Sequence, residues 1–372
     1  MENTLTRENK KFRLPFYVVK RMGLPKWAYW SIRIGGIILA FLAVGIITNF
    51  LVPGSFGKFF SEMMIGCFDF SDFATIIELL IAFSIILIIS MSLVPAFKMK
   101  FWNIGAEGQV LIGCLVAGGI AKFMPMGTED PVIWLVAGTF AIIAGIIWAV
   151  VPAIFKAYFN TNETLFTLML NYIAIVLVDM CINIWIKSGT QTFGVLKQGT
   201  LPEIFEDSGS LVILAALIIF GALFFYIRYS KQGYEISVVG ESVNTAKYVG
   251  INVKKVIIRT MIINGAICGL LGFMLVCGVH QTLNKDLVGG QGFTGVMIAW
   301  LGHFDPIEIA LFSFLSAVFE VGTARASTAL QISSIPFKAL STSIFFFFII
   351  ACEFFSSYQI KIRKKENKEV NA

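Results

Sequence analysis

The run IGGIILAFLAVGIITNFLV at residues 34–52 contains no charged side chain, and neither does the run VIWLVAGTFAIIAGIIWAVVPAIF at residues 132–155. An α-helix needs about 20 apolar residues to cross the roughly 30 Å hydrocarbon layer of a bilayer, so both runs are long enough to span a membrane. The whole chain is 57% hydrophobic and only 14% charged, whereas soluble proteins carry roughly 25% charged residues. The sequence therefore predicts an all-α polytopic membrane protein.

Eight further apolar segments bring the prediction to about ten transmembrane helices. The segment 287–301 is short and rich in glycine, and we keep it as a span or half-span because an odd number of crossings would place the basic tail outside. The ten predicted spans are 34–52, 73–95, 104–121, 132–155, 164–186, 211–227, 256–279, 287–301, 307–324 and 335–355.

Lysine and arginine are concentrated at both chain ends and in one internal loop. Basic loops stay on the cytoplasmic side of a membrane, so this pattern predicts a multi-pass protein with both termini in the cytoplasm. It also accounts for the net charge of +6 without a nucleic-acid partner. The predicted parts are a basic cytoplasmic amino-terminal segment (1–33), a transmembrane domain (34–355) with a cytoplasmic loop (228–255), and a basic cytoplasmic tail (356–372).

Two polar, glycine-rich interruptions occupy corresponding places in the two halves of the chain. Five spans per half would make the second half run in the opposite sense, as an inverted repeat. In each half the third span opens with such a stretch, NIGAEGQ at 103–109 and GGQGFTG at 289–295. Paired interruptions of this kind point to a substrate path. The glycines themselves favour close helix packing, and the polar residues among them favour the path.

Seven ionisable residues fall inside the predicted spans, where a charge costs several kcal/mol unless it is paired or hydrated. Arg259, Lys338 and Glu353 lie close enough to a span end to reach the interface. Asn171 and Asn264 either line a polar path or bond a neighbouring helix. The seven ionisable residues are Glu78, Glu107, Asp179, Arg259, Glu320, Lys338 and Glu353.

The patterns of cofactor and metal sites are missing or out of context. The stretch GQGFTG at 290–295 matches a dinucleotide fingerprint, but no strand precedes it. The chain has no Walker loop, no pair of cysteines in a C-x-x-C motif, and no second ligand near His280 or His303. We expect no catalytic residue, no metal and no cofactor in this chain.

The loop at 228–255 contains the segment ESVNTAKYVGI at residues 241–251. Ser242 is a good helix cap and Gly250 a good terminator, so residues 242–248 are predicted to form a short helix. Such a helix on the membrane surface suits docking into a groove of a partner, although a solvated loop would have the same composition. The residues that it would expose are Glu241, Asn244, Lys247 and Tyr248.

Four blocks along the chain resemble the signature sequences of bacterial ABC-importer permeases of the branched-chain amino acid and simple-sugar superfamily. They are WNIGAEGQ at 102–109, NET through MLNYIA at 162–174, AKYVGI at 246–251 and GQGFTG at 290–295. The first two resemble the nucleoside and simple-sugar subgroup. The blocks occur in order and cover roughly residues 75 to 355.

This resemblance implies a type II ABC importer fold in the cytoplasmic membrane and a transport role rather than an enzymatic one. The implied partners, besides membrane lipid, are a second homologous permease, ABC ATPase subunits that bind ATP and magnesium, and an extracytoplasmic substrate-binding lipoprotein. The cytoplasmic loop would hold the helix that couples to the ATPase, although Ser242 and Thr245 depart from the family pattern. The implied coupling residues are Gly240, Glu241, Asn244, Ala246, Lys247, Tyr248, Gly250 and Ile251.

A nucleoside needs a partly aromatic path with a few hydrogen-bonding groups. The candidate pathway residues are Asn103, Glu107, Gln109, Asn171, Tyr172, Gln291 and Phe293. Trp300, where relatives tend to have leucine, could reshape the wall of the path. A ribose-type sugar, riboflavin or another small ring-bearing metabolite is the alternative substrate. The alternative mechanism is a secondary transporter or channel that needs no ATPase.

Overall fold

The computed structural model describes residues 16–21, 25–186, 194–203 and 208–362. These residues form thirteen α-helices and two short β-strands. In chain order the elements are β1 (Phe16–Lys20), α1 (Lys26–Leu51), α2 (Phe56–Phe68), α3 (Phe73–Lys98), α4 (Ala106–Phe123), α5 (Asp130–Phe159), α6 (Glu163–Trp185), α7 (Leu211–Tyr229), α8 (Lys231–Glu241), α9 (Val243–Tyr248), α10 (Val253–Met274), α11 (Gln291–Leu301), α12 (Pro306–Ala329), α13 (Ser334–Ser357) and β2 (Tyr358–Ile362).

Nine helices within these described residues are long and apolar enough to cross a membrane. They are α1, α3, α4, α5, α6, α7, α12, α13 and α10, which continues as a π-helical turn to Val279. The prediction of an all-α polytopic membrane protein is confirmed.

The described residues form two compact units, and the terminal unit combines those up to residue 56 with those from residue 340 onward. In this unit β1 pairs with β2 in antiparallel register, so that Lys20 lies opposite Tyr358. The start of α1 and the end of α13 therefore lie at the same end of the helix pair. The sequence predicted polar segments here and no strand, because each five-residue strand finds its partner only at the other end of the chain.

The second unit, residues 57–339, is built around α10. Glycines let this helix approach its neighbours at backbone distance: a Cβ on Gly265 would lie 2.5 Å from the carbonyl oxygen of Gly145 on α5. On the other side, a Cβ on Gly113 of α4 would lie 2.8 Å from the carbonyl oxygen of Gly269. Small residues at such contacts are typical of packing between helices in membranes.

Contacts between loops define the two ends of this central unit. At one end, which we name the loop end, the backbone N–H groups of Leu196 and Leu201 donate to the carbonyls of Gln281 and Cys277, both at 2.8 Å. At the other end, which we name the α9 end, residues of α8 and α9 pack with the segment that follows α3. The ring of Phe304 lies at this end, 5.8 Å from the ring of Phe97.

The chain crosses the central unit between Gln281 at the loop end and Phe304 at the α9 end. Only Gln291–Leu301 is helical in this stretch, and an 11-residue helix covers about 16 Å. The segment 287–301 is thus the half-span that the sequence left open, preceded by a non-helical entry. Together with the nine long helices, this segment brings the crossings within the described residues to ten.

Candidate functional site

The two glycine-rich interruptions meet at the carboxylate of Glu107. Its Oε1 accepts a hydrogen bond from the N–H of Gly290 at 2.9 Å, and its Oε2 accepts one from the N–H of Gly292 at 2.6 Å. Glu107 lies in the first turn of α4, whereas Gly290 and Gly292 open α11. Two helices that begin within the central unit are therefore joined at their amino-terminal ends.

This joint is electrostatically favourable because the amino-terminal end of each helix carries a partial positive charge. The single carboxylate of Glu107 faces both ends and satisfies two N–H groups that no helical carbonyl can reach. Gly292 is required by the close approach, since a Cβ at this position would lie 2.5 Å from the backbone nitrogen of Glu107. Gly290 adopts a φ of +82°, which glycine adopts without strain.

Asn103 connects the entry of α4 to α10 and α3. Its amide donates to the side-chain oxygen of Asn264 at 2.7 Å, and Asn264 donates in turn to the hydroxyl of Ser92 at 3.1 Å. The N–H of Gly105 and the amide of Gln109 donate to the Asn103 oxygen, at 2.9 and 3.4 Å. All these side chains are buried. The side-chain oxygen of Gln109 has no hydrogen-bond partner among the described residues.

Asn171 on α6 also bonds the residues at the start of α4, from another side. Its oxygen accepts from the N–H of Gly108 at 2.8 Å, and its amide donates to the carbonyl of Ile104 at 2.7 Å. Thr167, one turn earlier, accepts from the N–H of Ile104 at 3.1 Å. Both asparagines that the sequence placed deep in spans thus bond neighbouring segments in this conformation.

Tyr172 faces away from these residues. It is 56% exposed, and it lies with Ile173, Val176 and Met180 along an apolar surface of α6. Asn171 precedes it in the chain but is 1% exposed. The structure therefore brings Asn103, Glu107, Gln109 and Asn171 together and leaves Tyr172 on a separate face.

Phe293 lies on the exposed face of α11. Trp300, two turns further along, is exposed on the same face, and Met297 is half-buried between them. Gln291, the first residue of the helix, instead donates its amide to Oε1 of Glu320 on α12 at 3.1 Å. Gln291 and Phe293, the two candidate pathway residues of the second glycine-rich interruption, thus have different surroundings.

A polar face on α12 was missed by the sequence analysis, which singled out only its glutamate. Glu320 also forms an ion pair with Lys338 at the start of α13. All members of this face are buried, and the hydroxyl of Ser313 has no partner among the described residues. Spacings of three and four residues could have revealed this face. The α12 polar face consists of Ser313, Ser316, Glu320, Thr323 and Ser327.

The three charged residues expected to reach the interface are each paired instead. Lys338 contacts Glu320, and Glu353 accepts from the guanidinium of Arg33 at 2.9 Å within the terminal unit. Arg259 lies at the α9 end, where it donates to Glu235 on α8 at 3.1 Å. Position along a span could not reveal these partners, which lie on other helices.

The short helix predicted at residues 242–248 is present as α9. The hydroxyl of Ser242 accepts from the N–H of Thr245 at 3.2 Å and caps the helix. The helix ends before Gly250, whose φ is +83°. Next to it, a cavity of about 300 Å³ lies between α8 and the start of α10, with Lys231 and Lys255 in its lining.

The predicted coupling residues divide into exposed and buried ones. Tyr248 is 92% exposed at the end of α9, whereas Ala246 is fully buried against the body of the unit. Gly240 is also buried, and its Cα approaches the carbonyl of Lys98 too closely for a Cβ. Ala246 and Gly240 therefore position the loop. The exposed members are Glu241, Asn244, Lys247, Tyr248 and Gly250, and Ile251 is partly buried.

Residues 75–352 match the family model described as "Branched-chain amino acid transport system / permease component". The chain belongs to this permease family. The permease is 25% identical to the glucose ABC transporter permease TsgB13 of Haloferax volcanii, over 92% of each chain.

The permease is also 30% identical to the guanosine ABC transporter permease NupP of Bacillus subtilis, over 61% of this chain and 67% of the relative. It is 27% identical to the nucleoside ABC transporter permease NupB of Lactococcus lactis, over 71% of this chain and 76% of the relative. No solved structure matches the permease. As a permease component it is a transport subunit and not an enzyme, and it works with the ATPase and other subunits of an ABC transporter.

Proposed function

We propose that this permease carries nucleosides across the cytoplasmic membrane as one half of the channel of an ABC importer. Similarity to guanosine and nucleoside permeases supports this substrate class, although a glucose permease is also among the relatives. The other half of the channel is a second homologous permease. An extracytoplasmic binding lipoprotein delivers the solute, and separate ATPase subunits bind ATP and magnesium.

The exposed aromatic face of α11 carries the substrate assignment. Phe293 and Trp300 present aromatic rings on one face of a half-helix that begins inside the central unit. A nucleobase stacks on such rings with a gain of about 1–3 kcal/mol per base. A simple sugar without a base would use this face less.

The α9 end is the cytoplasmic end in this proposal. Its exposed basic residues are Lys100, Arg228, Lys231, Lys247, Lys254 and Lys255, beside the exposed acid Glu241. The segments at the loop end (129–130, 194–203 and 281–286) instead expose Glu129, Asp130, Glu203 and Asp286 beside one basic residue, Lys197. By the positive-inside rule this asymmetry supports a cytoplasmic α9 end, and the cytoplasmic location of both chain ends stays a prediction from the sequence. The exposed side chains of α9 then face the ATPase.

Transport assays test the substrate. Uptake of labelled guanosine into cells that produce the complete transporter is expected to fall when unlabelled nucleosides are added and to persist with glucose, ribose or riboflavin. Phe293→Ala is expected to raise KM about tenfold by loss of stacking. Phe225→Ala, which removes a 63% exposed ring on α7, serves as the matched control. Competition by a sugar or riboflavin, with none by nucleosides, would contradict the proposal.

A second assay tests the coupling surface. Tyr248→Ala is expected to reduce ATP-driven uptake at least about tenfold without changing the melting temperature, because the ring contacts little of its own chain. Tyr229→Ala removes a 69% exposed ring outside α9 and is the control. Full uptake after deletion of the ATPase would instead favour a secondary transporter or channel. Substitutions at Ala246 and Gly250, such as Ala246→Arg and Gly250→Trp, would not test docking. Ala246 is buried and Gly250 has a positive φ, so both changes would disturb the fold of the loop itself.

A further inference from the structure

Three polar side chains meet where α11, α12 and α13 come together, and we name Gln291, Glu320 and Lys338 the Glu320 trio. The Gln291 amide and the Lys338 ammonium both contact Oε1 of Glu320. Glu320 is 7% exposed, whereas the side chain of Lys338 is 41% exposed. The trio therefore combines a nearly buried carboxylate with an ammonium group that has an open side.

The trio lies well inside the membrane-spanning part. Glu320 stands nine residues before the end of α12, which is about 13 Å of helix, and Lys338 stands four residues after the start of α13, about 6 Å. Because these helices follow each other through a short turn, the ammonium of Lys338 must point toward the middle of the membrane to contact Glu320. An interfacial lysine would point the other way.

Hydrogen-bonding capacity remains in the trio after its internal contacts are made. Among the described residues, Oε2 of Glu320 and the side-chain oxygen of Gln291 have no partner, and Lys338 uses only one acceptor. Charged and polar groups in this state cannot face hydrocarbon without a cost of several kcal/mol. The open side of the trio therefore faces polar surroundings rather than hydrocarbon.

The α12 polar face extends this polar surface along the helix. From Ser313 to Ser327 it covers about 21 Å, or most of the thickness of a bilayer core. Its hydroxyls are buried in the present conformation, and Ser313 lacks a partner among the described residues. A rearrangement that uncovers this face would give a row of hydroxyls leading to and from Glu320.

We propose that the Glu320 trio binds vicinal hydroxyl groups on the sugar ring of the transported solute. A vicinal diol presents two donors and two acceptors at short spacing, which match the free oxygens of Glu320 and Gln291 and the free N–H groups of Lys338. The inference rests on the proposed function for its solute, a nucleoside. It assigns recognition of the ribose to the trio and leaves the base to the aromatic face of α11.

The test compares a labelled nucleoside with its 2′,3′-dideoxy analogue, using the complete transporter and one binding protein throughout. The ratio of the two uptake efficiencies, kcat/KM, is measured for each permease variant relative to the unmodified permease, so the contribution of the binding protein cancels. Glu320→Gln is expected to lower uptake of the nucleoside about tenfold and to change uptake of the analogue little, since one hydrogen bond to a charged group is worth this much. The preference ratio falls accordingly.

Gln291→Ala carries the same test if Glu320→Gln does not accumulate in the membrane, because it removes one neutral group at the surface of the trio. Asp179→Asn, which changes an acid on α6 that pairs with Lys285 at 3.9 Å, is the matched control and should keep the ratio. Equal losses for nucleoside and analogue, or an unchanged ratio in both trio variants, would overturn the inference. Absence of nucleoside uptake by the unmodified permease would instead refute the proposed function.

Discussion

Replacing Glu107 by leucine removes the group that joins the amino-terminal ends of α4 and α11. Two hydrogen bonds are lost, from Gly290 at 2.9 Å and from Gly292 at 2.6 Å. Glu107 is 5% exposed, so water does not readily replace it. The backbone N–H groups of both glycines are left without their acceptor.

The magnitude follows from these two bonds. A buried donor without a partner costs about 1–3 kcal/mol, so Glu107→Leu should destabilise the joint by about 2–6 kcal/mol. Glu107→Gln keeps one acceptor oxygen and turns an NH₂ group toward the second donor. It should therefore lose about half as much stability through these hydrogen bonds. It also loses the interaction of the charge with two helix ends, worth about 0.3–1 kcal/mol for each end.

Thermal melting of the purified transporter, together with uptake at equal abundance in the membrane, tests this order. Melting temperature and uptake should both fall more for Glu107→Leu than for Glu107→Gln. The matched controls are Glu129→Leu and Glu129→Gln, because Glu129 is exposed and makes no side-chain bond at the start of α5. Equal loss of uptake in the two Glu107 variants at unchanged melting temperature would refute the role as a joint and indicate a charge required by the solute.

Three further predictions concern packing, charge and thiol reactivity. Gly265→Ala should lower the melting temperature, with a cost of about 1–3 kcal/mol from overpacking against α5. Gly221→Ala, with nothing within 4 Å of the added Cβ, should be neutral or stabilising, and equal effects of the two changes would contradict the close packing of α10 on α5. Arg33→Met should destabilise the protein by about 3–5 kcal/mol because it leaves the Glu353 carboxylate without its guanidinium partner. In a melting assay, the double variant Arg33→Met with Glu353→Met should recover most of this loss, and no recovery would count against the pairing. Burial, and secondarily a nearby carboxylate, raises the pKa of Cys67 to about 11. Maleimide labelling of a variant with this single cysteine should therefore rise about tenfold per pH unit from pH 7 to 9, and a plateau of the labelling rate by pH 9 would contradict the raised pKa.

Hydropathy was sufficient to predict the fold class and most spans. The chain has few charges, and each has to lie outside the membrane or in an ion pair, so the long uncharged stretches mark the spans. The half-helix at 291–301 was visible as a glycine-rich segment too short to be an ordinary span. The short helix α9 followed from Ser242 and Gly250 alone. These features depend on local sequence, which a single chain displays directly.

Side-chain partners were not predictable in the same way. Glu107 and Gly290 are 183 residues apart in the chain, and no local pattern records that they meet. Within spans, the faces toward lipid and toward protein are both apolar, so hydropathy could not show that Asn171 is buried while Tyr172 is exposed. The α12 polar face is the exception, since its serines, threonine and glutamate recur with helical spacing.

The pairing of Arg33 with Glu353 has a consequence for biosynthesis. The two residues are separated by 320 positions, and at about 5–20 residues per second the ribosome needs roughly 15–60 s to make that length of chain. During this interval α1 is already synthesised, and its arginine has no carboxylate from α13. The terminal unit can therefore close only after α13 has been synthesised, and a nascent chain that stops before α13 keeps Arg33 on α1 without the carboxylate of Glu353.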